Sequence, residues 1–302
     1  MYDLTLIIPA KNEKESLPKV IAELNNKYKI KVVLKENDYE TIEAIKNLNV
    51  EIIMQTGNGY GNALIEGINT TNTKYFSIFN ADGSFEPKEL DSMFKKIEEG
   101  YDFIFGSRYM KNSGSEDDTI ITYIGNKIFT LLGNIFFNLK ISDILYTFVI
   151  GKTSNAQKLN LISKDFSFCV ELPITAKRQN NKLISTPSFE RKRIAGKKKV
   201  NAFKDGSMIL IKMIKFSFKL NKEFFMKNIL IVIPAYREHK NILNLFNKIF
   251  INKSKKYSFY PLVIDDSDDL LTQNLIFKSK FKKKIYFIKR SKKSGRGSAV
   301  IE

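Results

Sequence analysis

From Leu4 to Arg108 short apolar runs alternate with apolar residues at helical spacing. Residues 4–10, LTLIIPA, are nearly all apolar and of strand length, the pattern of a strand buried on both faces. Leu17, Val20, Ile21 and Leu24 then recur at helical spacing, with Pro18 near the start, where its missing N–H is tolerated. The same reading predicts strands at 31–34, 50–55, 75–81 and 102–108. It predicts helices around Ile42, Ile45 and Leu48, around 63–68, and from Pro87, in the first turn, to Gly100, past the end. Strands alternating with helices imply right-handed crossovers and a mainly parallel sheet with helices on both faces. In such α/β sheets ligands sit at the carboxyl ends of the strands. The polar clusters Lys11–Glu13, Lys35–Asp38, Gly57–Gly61 and Asn80–Ser84 all fall at those ends and point to one site.

The middle of the chain changes character. Ile120, Ile121, Ile124, Ile128, Leu131, Leu132 and Ile135 form an apolar helical stripe. A core helix is the commoner meaning of such a stripe; a surface lying against lipid is the other. Near 205–222, Leu210, Ile211, Ile214 and Phe218 form an apolar face interleaved with Lys212, Lys215, Lys219 and Lys222. Such a basic amphipathic helix suits anionic headgroups or an ordinary surface equally. An internal repeat follows. LIIPAKNE (6–13) recurs as IVIPAYRE (231–238), and GYGNALIE (59–66) as GRGSAVIE (295–302), in the same order. Two domains are expected, 1–222 and a shortened second copy, 226–302, with Met226 at the junction. The second copy carries Pro234, Tyr236, Glu238 and Asp265/Asp266 but stops before any counterpart of Asp82, so it is not expected to catalyse.

Composition narrows the classes. Hydrophobic residues are 43% of 302, enough for a substantial core. The formal net charge of +18 asks for phosphate-bearing ligands or an anionic membrane surface, beside the plain reading of solvated lysine faces. No helix-turn-helix or aromatic RNA-binding pattern accompanies it, so nucleic acid is not expected. Cys169 is the single cysteine, which excludes an internal disulfide and fits a reducing, cytoplasmic setting. No signal-peptide pattern opens the sequence, and no uninterrupted apolar run reaches the ~18 residues of a spanning helix. The expectation is a protein that is not integral to the membrane but can lie on its inner face or meet a membrane-protein partner.

Asp82 follows the run 75–81 directly. A carboxylate at a strand's carboxyl edge can hold Mg²⁺ or Mn²⁺ bridging two phosphates; a turn Asp before Gly83 is the plain alternative. Gly59 and Gly61 permit a tight turn and close backbone approach, and the helix after them could favour a phosphate. A connecting turn is the commoner meaning. Arg108 closes GSR (106–108), and a fixed guanidinium can fork onto phosphate oxygens.

The ordered set IIPAKNE (7–13), GxGxA (59–63), NADGSFEP (80–87) and GSR resembles the catalytic domain of glycosyltransferase family 2, in particular its polyprenyl-phosphate (dolichol-phosphate mannose synthase-like) branch, through about residue 200. The resemblance implies the nucleotide-binding GT-A fold, a divalent cation and inverting transfer of a sugar from a nucleotide diphosphate. It implies that Pro9, Ala10, Lys11 and Glu13 touch the nucleotide base, unless this loop is only a strand end and a helix N-cap around Asn12, that Asn80, Ala81 and Asp82 form the metal and diphosphate motif, and that Arg108 lies near acceptor or diphosphate. Asp143 would position the acceptor, and Arg193 and Lys199 would belong to a loop folding over the diphosphate, unless 193–199 is a solvated charge run. Two departures stand out. The family has Asp where Asn80 stands, and its Val-Asp-Asp-Gly-Ser is replaced by Leu34-Lys-Glu-Asn-Asp38. Glu36, then Asp38, is the best substitute for the nucleotide-contacting acid.

The only histidine, His239, lies in the second copy, so no histidine base serves the first. A lipid phosphate needs none: its second pKa is about 6 and it is already anionic at neutral pH. A hydroxyl acceptor would need a carboxylate base, for which Asp143 is the candidate. The expected function is hexose transfer from a GDP- or UDP-sugar to a polyprenyl phosphate. Transfer to a sugar hydroxyl in envelope glycan synthesis, or a degenerate nucleotide-binding scaffold, are the alternatives.

Overall fold

The computed structural model describes residues 3–24, 27–195, 202–225, 227–251 and 257–290. Two compact units emerge, Met1–Ser217 and Phe218–Glu302. The division falls inside a helix, a few residues before the junction expected at Met226, which itself lies outside the described residues.

The first unit opens as the apolar pattern predicts: β1 (Leu4–Pro9), α1 (Leu17–Glu23), β2 (Lys29–Leu34), α2 (Tyr39–Ile45), β3 (Glu51–Met54), α3 (Tyr60–Asn69), β4 (Tyr75–Ile78), α4 (Glu89–Glu98) and β5 (Phe103–Ser107). Pro87 lies just before α4 rather than in its first turn, and Gly100, at φ 95°, follows its end. Then come β6 (Gly114–Ser115), α5 (Ile120–Phe137), β7 (Val149–Lys152), α6 (Thr153–Lys158), α7 (Phe168–Arg178), β8 (Leu183–Pro187), β9 (Phe189–Glu190) and α8 (Ala202–Phe225). Seven strands make one sheet, in the order β3-β2-β1-β4-β7-β5-β8. All run parallel except β7, which is antiparallel to both β4 and β5. Side chains of β1 alternate between two covered faces, as strand geometry demands. Leu4, Leu6 and Ile8 join the core with Leu17, Val20, Leu90 and Met93. Ile7 points the other way, against Gly67 of α3.

The stripe in α5 behaves contrary to the core reading. Thr119 and Thr122 form a capping box at its start, and Asn138 closes it in the left-handed region. The buried side is Asn126, Thr130, Gly133 and Phe137. Ile120 (79% exposed), Ile124, Ile128, Leu131 and Ile135 (66%) face outward. Polar anchors explain the orientation. The Ile144 N–H donates to Thr130 Oγ1 (3.1 Å), Asn134 exchanges two bonds with the Ile141 backbone, and Asn126 donates to the Tyr109 hydroxyl (2.8 Å). By length and composition this helix is apolar enough to cross a membrane (mean hydropathy 1.3), although Asn126, Lys127 and Asn134 interrupt its apolar run, as the sequence pattern predicts. In α8, Ile209 and Met213 are buried while Leu210, Ile211 and Ile214 are exposed.

The second unit contains β10 (Lys227–Ala235), α9 (Ile242–Ile251), β11 (Tyr257–Asp265), α10 (Leu271–Lys278) and β12 (Tyr286–Lys289). Its three strands are parallel, in the order β10-β11-β12. Ile233, Phe246, Val263 and Phe281 belong to a core of its own. The repeat's glycine turn, Gly295 to Glu302, lies outside the described residues.

Candidate active site

The carboxyl ends of β1, β2 and β4 lie side by side. The Ala10 N–H donates to Val33 O (2.9 Å) and the Phe79 N–H to Ile7 O (3.0 Å). The segments leaving these strands therefore share one rim, at the point where β1 hands over to strands on either side.

Asp82 sits on that rim after the buried Ala81. Its Oδ1 accepts the Ser84 N–H (3.0 Å), closing the turn at Gly83 (φ 82°), and Asn80 Nδ2 donates to Ser84 Oγ (3.0 Å). The turn role and a cation role coexist, because Oδ2 faces another group: Arg193 Nη1 lies 3.5 Å from it, and Nη2 reaches Asp117 at 2.9 Å. The Ile194 N–H donates to Asp82 O (2.8 Å), and the Ile194 side chain lies where a Cβ on Gly83 would be. The absence of that Cβ lets segment 191–194 close onto the strand end. Burial opposes the Arg193 charge, but the Asp117 hydrogen bond and the Asp82 charge outweigh it and hold the guanidinium above its ordinary pKa. Arg193 Nε is buried without a hydrogen-bond partner among the described residues. A phosphate oxygen is the type of acceptor that would satisfy it.

Among the described residues no three His, Cys, Asp or Glu side chains converge to hold a metal alone. Mg²⁺-type ions are commonly held by one or two carboxylates plus substrate phosphates. Asp82, with an oxygen already facing a positive group, fits an ion that brings its other ligands from a diphosphate.

The first nucleotide loop is tied down. Asn12 adopts φ 52°, and its N–H donates to Asp38 Oδ2 (2.7 Å). The Glu13 N–H donates to Thr41 Oγ1, and Glu13 Oε2 accepts from Ser16 Oγ (2.6 Å) at the start of α1. Asp38 is therefore a buried clip between two loops, whereas Glu36 stands exposed at the tip. Pro9 and the exposed Lys11 lie on the same rim.

Four expected residues have other employment. Gly59 and Gly61 pack against the backbone of 163–165: a Cβ on Gly61 would lie 2.6 Å from Asp165 O and closer still to Ser163 O. The Asn62 N–H donates to Lys164 O (3.1 Å), so a carbonyl, rather than a phosphate, meets this turn of α3. Arg108 was expected near phosphate. Instead its Nε and Nη2 grip Asp143 (2.8 and 3.1 Å), and Nη1 reaches Glu190 (3.0 Å) and Asp118 (3.6 Å). Asp143 is 0% exposed and holds Arg108 rather than facing solvent. Burial lowers the Arg108 pKa, but Asp143 and Glu190 more than reverse this and keep it well above its ordinary value. Lys199 lies outside the described residues.

Sequence reasoning missed Asp117, Asp118 and Glu190. The acidic run 116–118 just before an apolar helix was the available signal. Asp118 also accepts from the Tyr109 hydroxyl (2.7 Å), which links the Arg108 cluster through adjacent Asp117 to Arg193 and Asp82.

Comparison with known proteins adds the following. The profile described as Glycosyl transferase family 2 matches residues 5–159, just over half the chain. An uncharacterized glycosyltransferase of Mycobacterium bovis is 28% identical over 105 residues, 35% of this chain and 48% of that protein. A dolichol-phosphate mannosyltransferase of Pyrococcus furiosus is 28% identical over 124 residues, 38% of this chain and 35% of that protein. The matched stretch thus spans at most about half of each of these relatives. A solved structure of glucosyl-3-phosphoglycerate synthase from Mycobacterium tuberculosis, with Mn²⁺, UDP and phosphoglyceric acid, superposes with TM-score 0.58 at 11% identity, covering 71% of this chain and 78% of that one. That likeness shows the GT-A type of fold.

Proposed function

The chain belongs to glycosyl transferase family 2, and from that premise we propose that it is an inverting hexosyltransferase that uses a GDP- or UDP-sugar and a polyprenyl phosphate acceptor. One observation carries the reading: a strand-end carboxylate, Asp82, faces the guanidinium of Arg193, whose remaining donor is buried and lacks a described partner. Asp82 would hold the divalent ion, Mg²⁺ or Mn²⁺, and Arg193 would turn to the diphosphate. When bound, the ion neutralises charge building on the departing diphosphate. Pro9, Lys11 and the exposed Glu36 border the nucleotide. A phosphate oxygen of the acceptor attacks the anomeric carbon in line. The carbon–oxygen bond to the diphosphate breaks, and its electron pair leaves with the β-phosphate.

No proton has to be removed from a phosphate acceptor. That matters because the carboxylate expected to serve as base, Asp143, is sealed under Arg108. Asp117 is paired with Arg193. A hydroxyl acceptor is the weaker reading for this reason. The mycobacterial structural neighbour binds phosphoglyceric acid, so a soluble phosphorylated acceptor belongs in the same screen. We read the second unit as a further copy of the nucleotide-binding half, on the strength of its parallel β10-β11-β12 order and the repeated IPA motif.

The test is a screen of UDP-, GDP- and CDP-sugars with Mn²⁺, offered polyprenyl phosphate, phosphoglyceric acid or a free sugar. Metal-dependent transfer to the lipid is expected, falling roughly a hundredfold in Asp82→Ala. Turnover that survives this substitution, or no turnover of any donor, would end the proposal. Metal-dependent nucleotide binding without transfer would favour a scaffold.

A further inference from the structure

Helix α5 is amphipathic in the opposite sense to a helix packed on a core in water. Its inner side carries Asn126, Thr130 and Gly133, each set against the domain. Ile124, Ile128, Leu131 and Ile135, at helical spacing, all point outward. The hydrogen bonds of Asn126, Thr130 and Asn134 prevent the helix from rolling to hide them. Helix α8 touches this helix at one point, where a Cβ on Gly206 would meet the Phe129 ring at 3.9 Å, and carries its own exposed Leu210, Ile211 and Ile214. An exposed apolar helix face such as that of α5 marks an interaction site.

Charge selects the occupant. Ile120–Phe137 contains no acidic residue. Lys127 projects from α5 across the Tyr109 and Tyr123 rings (4.6 and 5.6 Å). Lys140 is exposed just beyond the helix, and Lys215 is exposed beside Ile214. A second copy docking by the same face would set these lysines against one another, whereas anionic headgroups complement them.

We propose that the outward face of α5 docks in the plane of an anionic lipid bilayer. The helix starts at Thr119, two residues after Asp117, the partner of Arg193. The docked face therefore begins beside the candidate site, and a lipid phosphate reaches Arg193 from the headgroup layer. This last step rests on the transferase reading; the docking surface does not.

The test is co-sedimentation of the full chain, without donor, on vesicles of phosphatidylcholine alone and of phosphatidylcholine mixed with phosphatidylglycerol. Retention on the anionic vesicles is expected. The triple variant Ile124→Glu, Ile128→Glu, Leu131→Glu changes only exposed positions, so its circular dichroism should be unaltered while apparent affinity falls about tenfold or more. A wild-type chain left in the supernatant, a variant that binds equally well, or a wild-type dimer that the variant dissociates without any vesicle binding would each overturn the proposal. The two readings fail separately: a chain that sediments but transfers no sugar keeps the surface and loses the enzyme, and a chain that transfers sugar while ignoring vesicles does the reverse.

Discussion

Arg108 shows how a side chain that reads as a phosphate binder in the sequence can be held by carboxylates in the fold. Its guanidinium is ringed by Asp143, Glu190 and Asp118, and lies over the Tyr146 ring at 4.7 Å. Removing one partner of a buried ion pair strands the other charge in a poor solvent, a loss of about 3–5 kcal/mol. Asp143→Ala should therefore lower the unfolding free energy from urea titration by that amount, with Asp143→Asn milder because one acceptor oxygen remains. An unchanged value would show that Arg108 finds other partners and is not clamped. Arg193 differs in kind. It is half-buried and held to Asp82 at 3.5 Å, and its Nε has no hydrogen-bond partner among the described residues. From residue type and setting both arginines read as candidates for binding phosphate. Only the partners, 35 and 82 positions away, show that Arg108 is clamped by carboxylates.

At the scale of elements, the N-terminus of α3 and the segment 163–165 fit together like the edge of a lid. Gly59 takes φ 99°, where a side chain is strained, and Gly61 leaves no room for one. Gly61→Ala should cost about 1–3 kcal/mol by overpacking against backbone that cannot swing aside. Denaturant unfolding reads this directly, and a neutral result would mean the 163–165 carbonyls do not approach α3. The GxG spacing announced a close backbone approach correctly; what it could not announce was the approaching group. The same holds for α5. Helical periodicity assigns residues to a common face but does not say which face meets the domain. Here Thr130 and Asn126 find partners at Ile144 and Tyr109. The energy of satisfying buried polar groups then turns the isoleucines outward.

For the whole molecule, each unit carries its own core, one built on Leu6, Ile8 and Phe79 and the other on Ile233, Phe246 and Val263. Two thermal transitions should appear, and a fragment of residues 1–225 should keep the one that belongs to the first unit. Loss of folded signal in that fragment would show a single cooperative block instead. The strands of the first unit, their mostly parallel order and the placing of Pro9, Glu36 and Asp82 at one rim were all decided by local chemistry. Runs of apolar residues of strand length, broken by glycine and polar turns, leave few other ways to bury themselves. Tertiary structure decided the antiparallel β7, the clipping of Asp38, the sealing of Asp143 under Arg108 and the outward turn of α5. Each of these depends on a contact between residues far apart in the chain, and a local pattern carries no information about which distant group will supply the hydrogen bond or the opposite charge.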